Sequence, residues 1–250
     1  MKKIWVITLF PEYFEAFKEA GVAGHVLRGV RDGGIELETV LLRDFSPKGY
    51  KGVDGAPYGG GPGMVMRADV LKEALLKGVI EPGGYDLESI KNQLHIVYTG
   101  PRGRVWDNVV CKEFAKDHLC ESDKDLVFIC GRYEGVDERF LGKYVDAVYC
   151  IGDYVLTGGE IAVLAILDSS MRFAKGVLGN FDSALEDSFE DGLIEHKQYT
   201  KPRDFEGEGV PEILLSGHHS KIAEFRLNEK IELTKKHRAD LYREYMKKDK

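Results

Sequence analysis

Five short runs along the chain are rich in apolar positions: Ile4–Phe10, Ile35–Leu42, Leu94–Thr99, Leu126–Cys130 and Val145–Ile151. Val, Ile and Tyr are frequent in them, and several have little polar alternation. That pattern predicts strands buried on both faces. Stretches with helical spacing fall between them: Tyr13–Lys18, Ala68–Leu76, Trp106–Asp117, Asp137–Lys143 and Glu160–Phe173. Alternating strands and helices predict an α/β fold with a mainly parallel sheet. The last of these helices is apolar from Ile161 to Leu167 without a break. Such a helix is buried around most of its circumference. Either the core or a subunit interface must cover it, and the interface is the reading taken here.

The pattern changes after Phe173. Gly176, Gly179, Asn180, Asp182, Ser183 and Asp187 occur with no sustained period, which reads as a flexible linker over residues 174–192. Two helical stretches follow, about Ser220–Glu232 and Thr234–Lys248. The expected organisation is a ligand-binding α/β domain over 1–173, the linker over 174–192, and a small, mainly helical domain over 193–250.

Charge sharpens that division. The whole chain of 250 residues has a net charge of −7, which argues against bulk coating of nucleic acid. Yet Ser216–Lys250 holds 10 Lys+Arg against 6 Asp+Glu, a local net of +4, and leaves −11 on the rest. A basic tail on an acidic body suits a polyanion-facing appendage, although on charge alone a solvated helix pair is the stronger reading. The four cysteines, Cys111, Cys120, Cys130 and Cys150, match neither a CxxC metal pattern nor a small disulfide scaffold. They read as reduced thiols of a cytoplasmic protein. Lys2 and Lys3 precede an apolar run, but Pro11, Glu12 and Glu15 end it at the short limit of a signal peptide. No run approaches the about 18 apolar residues of a membrane helix.

Glycine makes up 29 of the 250 residues, about 12% against a usual value of about 7%. The excess asks for loops where backbone comes close to something. One cluster is Pro57-Tyr58-Gly59-Gly60-Gly61-Pro62-Gly63-Met64, which lacks the Lys-Ser or Lys-Thr of a phosphate loop. The chain also lacks GxGxxG, so P-loop hydrolysis and ordinary dinucleotide binding are demoted. Three further clusters follow three successive predicted strands: Tyr98–Arg104, Cys130–Arg139 and Ile151–Glu160. Open α/β sheets bind ligands at that edge, so a shared pocket is favoured over three independent turns. The few cations in these loops are balanced by Glu134, Asp137, Glu138, Asp153 and Glu160. That suits a neutral or cationic ligand better than a triphosphate. Arg132 and Glu134 also read as an ordinary ion pair at a helix start.

Together these residues resemble the bacterial-type tRNA (guanine-N1)-methyltransferase family, within the SPOUT (trefoil-knot) methyltransferases. The matching segments are ITLFPEYF at Ile7–Phe14, PYGGGPGM at Pro57–Met64, CGRYEGVDER at Cys130–Arg139 and IGDYVLTGGE at Ile151–Glu160. GVLG at Gly176–Gly179, EDSF at Glu186–Phe189, YTKP at Tyr199–Pro202 and LLSGHH ending at His219 follow in family order. The resemblance implies a SPOUT-type parallel sheet with a deep C-terminal trefoil knot in residues 1–173. It also implies S-adenosylmethionine as methyl donor, tRNA as substrate, and a homodimer with active sites at the subunit interface. The expected reaction is methylation of N1 of the guanosine immediately 3′ of the anticodon, position 37, which preserves the reading frame.

Carried over by resemblance, the cofactor-binding residues are Tyr98, Thr99, Pro101, Gly131, Glu134, Gly135, Cys150, Ile151, Gly152, Tyr154, Leu156, Gly158 and Gly159. Asp187 matches a proposed general base and Arg172 a catalytic arginine. Tyr58, Gly59, Ser188, His218, His219, Lys221 and Arg226 are the expected tRNA contacts. The family usually has Ser where Cys150 stands, so a hydroxyl contact there is lost. Its relatives often read Ser-Pro-Gln-Gly where this chain has Gly100-Pro101-Arg102-Gly103. The resemblance also allows a magnesium requirement, for which no ligand spacing in the chain defines a site. Two alternatives stay open: a SPOUT methyltransferase acting on another RNA site, and a non-catalytic knot protein that binds RNA.

Overall fold

The structure is a computed structural model that describes residues 1–31, 33–47, 52–174, 177 and 187–248. Most of the 174–192 stretch read as a linker therefore lies outside the described residues. The chain divides into two compact units, Met1–Gly179 and Asn180–Lys250.

The first unit is built on five strands: β1 (Lys2–Thr8), β2 (Ile35–Leu41), β5 (Leu94–Val105), β6 (Asp125–Ile129) and β7 (Ala147–Cys150). They pair in the order β2-β1-β6-β5-β7, and every pairing is parallel. A two-residue hairpin, β3 (Asp54–Gly55) with β4 (Val65–Met66), lies outside this sheet. The helices are α1 (Glu12–Glu19), α2 (Gly21–Leu27), α3 (Ala68–Leu75), α4 (Asn108–Phe114), α5 (Glu138–Tyr144) and α6 (Glu160–Met171).

Strand alternation sends successive side chains to opposite faces, and two separate cores result. On one face, Ile4, Val6, Val97, Leu126 and Phe128 pack with Phe14 of α1, Phe114 of α4 and Val163, Ile166 and Leu167 of α6. On the other, Trp5, Ile7, Ile96, Val127 and Ile129 pack with Val70, Leu71, Ala74 and Leu75 of α3 and Phe140 of α5. With both faces covered, the strands need no polar side, which is why they read as apolar runs.

Several boundaries differ from the sequence expectation. Helix α2 was not anticipated, because Gly21 and Gly24 make its short sequence look like a loop. A side chain at position 24 would meet the Lys18 carbonyl oxygen at 2.7 Å, so the close approach of α1 and α2 demands glycine there. β5 does not end at Thr99. Thr99 and Arg104 both pair with Tyr149, so Gly100–Gly103 is an excursion within a strand rather than a loop after one. Helices α3 and α4 run on into wider π turns at Leu76–Ile80 and Ala115–Cys120.

Helix α6 is less enclosed than its composition suggests. Ala162, Val163, Ile166, Leu167, Ser170 and Met171 are buried. Ile161, on the opposite side, is 47% exposed. The unit's own core covers one face only.

In the second unit, strands β8 (Asp204–Phe205) and β9 (Glu208–Gly209) form a small hairpin. Helices α7 (His219–His237) and α8 (Ala239–Lys248) follow. The break between them comes at Arg238, not near Thr234. Thr234 is fully buried, and its hydroxyl donates to the Lys230 carbonyl at 2.6 Å while accepting from the Ile194 N–H at 2.9 Å. Those bonds hold Thr234 inside the helix. Among the described residues, no helix is long and apolar enough to cross a membrane.

Candidate active site

Parallel pairing puts the C-terminal ends of β1, β6, β5 and β7 at one edge of the sheet, and the glycine clusters gather there. They surround a cavity of about 260 Å³. All thirteen residues expected to bind cofactor line it: Tyr98, Thr99 and Pro101 from β5, Gly131, Glu134 and Gly135 after β6, and Cys150, Ile151, Gly152, Tyr154, Leu156, Gly158 and Gly159 after β7.

Close packing explains the glycines that follow β6 and β7. A side chain at position 159 would stand 2.8 Å from the Gly131 nitrogen and 2.9 Å from Thr99 Oγ1. One at position 158 would overlap the Arg132 guanidinium. The Gly159 N–H donates to the Gly131 carbonyl at 2.8 Å, so the backbones of the last two loops are in direct contact. The cluster at Gly59–Gly61 is different. Those glycines have positive φ and open space around them, and the adjacent Tyr58 is 97% exposed. There glycine serves the turn and not a close approach.

Polar chemistry in the cavity is sparse and specific. Thr99 is only 7% exposed, and its hydroxyl oxygen is buried without a hydrogen-bond partner. A buried hydroxyl left unpaired is costly, so this atom suits a polar ligand group. Glu134 adds a carboxylate, and the apolar walls come from Tyr98, Ile151 and Leu156. Burial pushes the Tyr98 phenol above its usual range, keeping it a neutral donor. The Cys150 thiol that replaces the family's serine contacts the Gly152 carbonyl at 3.3 Å, so it serves its own loop. An orphaned hydroxyl, a carboxylate and an apolar slot suit a ligand that carries a flat apolar ring, polar groups and no excess of negative charge.

Glu134 also links the cavity to the Pro57–Met64 cluster. Its N–H donates to the Met64 carbonyl at 2.9 Å. A side chain on Gly63 would collide with the Glu134 carboxylate. The Met66 N–H donates to the Gly135 carbonyl at 2.9 Å, completing the connection. This coupling is invisible along the chain, because the segments are about 70 residues apart.

The remaining expected residues lie elsewhere. Arg172 follows α6 at its C-terminal cap, half-buried. Asp187 and Ser188 belong to the second unit, both half-buried. The Ser188 hydroxyl accepts from the Glu195 N–H at 3.0 Å. His218, His219, Lys221 and Arg226 are exposed at the start of α7 or along it. Arg226 also lines a cavity of about 350 Å³ within the second unit, with Lys197, Tyr199, Lys201 and Arg203. Tyr199 and Lys201 belong to the YTKP segment, and sequence reading gave them no role. Among the described residues, no group of three or more His, Cys, Asp or Glu is placed to hold a metal ion. The described cysteines are all free thiols.

Comparison with known proteins completes the description. The family model described as "tRNA (Guanine-1)-methyltransferase TrmD" matches residues 1–244. Three relatives carry the name tRNA (guanine-N(1)-)-methyltransferase. The protein from Clostridium perfringens (strain SM101 / Type A) is 41% identical over 240 residues, covering 96% of this chain and 93% of the relative. That from Lactobacillus delbrueckii subsp. bulgaricus (strain ATCC BAA-365 / Lb-18) is 42% identical over 236 residues, covering 94% and 87%. That from Ruegeria sp. (strain TM1040) is 42% identical over 245 residues, covering 97% and 93%.

Proposed function

The chain belongs to the tRNA (guanine-1)-methyltransferase family, and from that premise we propose that it methylates N1 of the guanosine immediately 3′ of the tRNA anticodon. The observation that carries this reading is the cavity at the strand ends, where all thirteen cofactor candidates meet around an unpartnered Thr99 hydroxyl. S-adenosylmethionine, bound there, supplies a methyl group activated by its sulfonium.

The chain's own residues do the rest. Guanine N1 carries a proton at neutral pH and is a poor nucleophile until it is removed. Asp187 takes that proton, a role worth about 10²–10⁴-fold for a positioned base. Arg172 donates to O6, where negative charge develops as N1 loses its proton. The cavity walls fix the donor, so that N1 is held at attack distance and the reaction becomes effectively unimolecular. Tyr58, Gly59, Ser188, His218, His219, Lys221 and Arg226 hold the RNA, whose target base must leave its stack to be reached.

The same reading includes the deep trefoil knot of the family in the first unit. It makes the helical second unit a tRNA-holding domain, with Asp187 brought into place as tRNA binds. It makes the protein a cytoplasmic homodimer. Support for the dimer comes from Val155, 98% exposed beside the cavity, and from the uncovered side of α6 at Ile161. Apolar groups of that kind are what an interface covers. A magnesium requirement belongs to the reading too, and EDTA is expected to slow turnover; no residue of the chain is assigned to the ion.

The test is methyl transfer from labelled donor to tRNA, with the nucleosides identified by mass spectrometry. The expected product is 1-methylguanosine, lost when the anticodon-adjacent guanosine is replaced by adenosine. Methylation of any other nucleoside would assign the chain to another RNA site. Binding of tRNA without transfer would make it a non-catalytic binder.

A further inference from the structure

Arg132, in the loop after β6, is held by several contacts, and none of the roles assigned above includes it. It follows β6 and is 14% exposed at the side chain. Its guanidinium Nη2 lies 2.9 Å from Glu160 Oε2, and its Nη1 donates to the Thr157 carbonyl at 3.0 Å. The guanidinium carbon stands over the Phe10 ring at 4.3 Å, within cation–π range. Glu160 is 1% exposed and begins α6. Its other oxygen accepts from the Thr8 hydroxyl at 2.8 Å, and that hydroxyl accepts in turn from the Phe10 N–H at 3.0 Å.

These bonds join three parts of the sheet edge. Thr8 and Phe10 belong to the end of β1, Arg132 to the loop after β6, and Thr157 and Glu160 to the loop after β7. Burying a carboxylate and a guanidinium is expensive, and their attraction offsets that only with good geometry. Here the geometry is incomplete: Arg132 Nε and Glu160 Oε2 are buried without a hydrogen-bond partner, the Oε2–Nη2 contact being an ion pair without hydrogen-bond alignment. An arrangement this costly is weak support for the fold's stability. It does fix the spacing between two loops that line the cavity on either side.

We propose that Arg132 is a positioning residue, clamped by Glu160 and Thr8, that holds the loops after β6 and β7 at the separation the cofactor requires. The inference rests on the proposed S-adenosylmethionine site and adds to it the element that sets its width. The clamp acts through backbone. Arg132 grips the Thr157 carbonyl, which fixes Gly158 and Gly159, and its own backbone carries Gly131 and Glu134. Gly158 is glycine because the guanidinium occupies the space a side chain would take.

The test uses the full-length protein and four variants: Glu160→Gln, Arg132→Gln, the double variant, and Arg132→Lys. S-adenosylmethionine affinity is measured by calorimetry, and the KM values for donor and tRNA by steady-state kinetics. Glu160→Gln and Arg132→Gln are expected to weaken donor binding at least about 10-fold, as misplaced binding groups do. The KM for tRNA should stay within about 2-fold. The double variant should be no worse than the worse single, because the two residues act as one unit. Arg132→Lys should recover part of the loss. If Glu160→Gln does not fold, Thr8→Val takes its place, removing one donor to the carboxylate while leaving the ion pair.

Variants that lose thermal stability but bind donor like wild type at 25 °C would make the clamp purely structural and overturn the proposal. So would strict additivity of the two single changes. Wild-type protein that binds no S-adenosylmethionine would overturn the underlying site assignment and this inference with it. Wild-type binding with unaffected variants would overturn the clamp alone.

Discussion

The two units of this protein solve opposite problems. The first buries nearly everything that gives it shape. Its sheet is covered on both faces, and even Arg132 and Glu160, at the site's edge, lie away from water. Among the described residues of the second unit, only Leu193 and Thr234 are buried, while most of its described lysines and arginines stand on the surface. A small reactive ligand must be held within fractions of an ångström, so its site belongs on strands and helices locked by packing. A phosphate backbone is gripped by many exposed charges, each weakly, so the proposed role of the second unit as RNA holder asks for surface more than core.

That contrast can be broken experimentally, and the largest effect is expected where the two tasks meet. Asp187→Asn should lower turnover by at least about 10²-fold, the share of a positioned base, with S-adenosylmethionine affinity unchanged in calorimetry. Turnover near wild type would remove Asp187 from the role. Truncation of Ser216–Lys250 comes next. It should weaken tRNA binding by more than about 10-fold and flatten its dependence on salt, while donor affinity holds. Equal loss of both would mean that the units are not separable in function.

Smaller effects probe the cavity itself. Gly159→Ala places a methyl group against the Gly131 nitrogen, Thr99 Oγ1 and the Cys130 Cα. Such overpacking costs about 1–3 kcal/mol, to be read as a lower Tm together with weaker donor binding. Thr99→Val removes a buried hydroxyl that has no partner in the free protein. It should leave stability level or raised, yet weaken donor binding about 5–10-fold, the worth of one net hydrogen bond. Unchanged donor binding would take that hydroxyl out of the site.

The smallest effect belongs to the packing behind β5. His95 stacks on His118 with ring centroids 3.9 Å apart. Burial, with the neighbouring His118, pushes His95 down to about 4, and burial also lowers His118. Asp146 and Asp117 oppose these shifts, while Lys124 and Lys2 reinforce them. In the folded chain these rings stay neutral where the unfolded chain takes up protons. Their contribution to stability is therefore complete above about pH 6.5 and falls as the pH drops from there toward 4. A Tm profile should decline over that window, and His95→Phe should make the decline shallower.

Much of this was legible along the chain. The apolar runs marked all five sheet strands, and the motif order marked the family. Glycine clusters after strands are a local signal that marked a shared pocket, and the family resemblance named the thirteen cofactor candidates in it. The break between α7 and α8 was misplaced because a buried Thr234 with two hydrogen bonds looks, in sequence, like a helix breaker. The continuation of β5 past Gly100–Gly103 was missed because glycine and proline look like an ending.

What the sequence determined by itself, then, is which segments become strands, where the glycine clusters fall, and where the basic charge lies. These follow from periodicity and composition, which are local properties of the chain. Only the tertiary structure decided that Arg132, Glu160 and Thr8 meet, that Glu134 rests on Gly63, and that the Thr99 hydroxyl is buried without a hydrogen-bond partner. Those contacts span 28 to 152 positions, or depend on which way one side chain points. Distance along the chain carries no information about them until the parallel sheet brings its strand ends to a single edge.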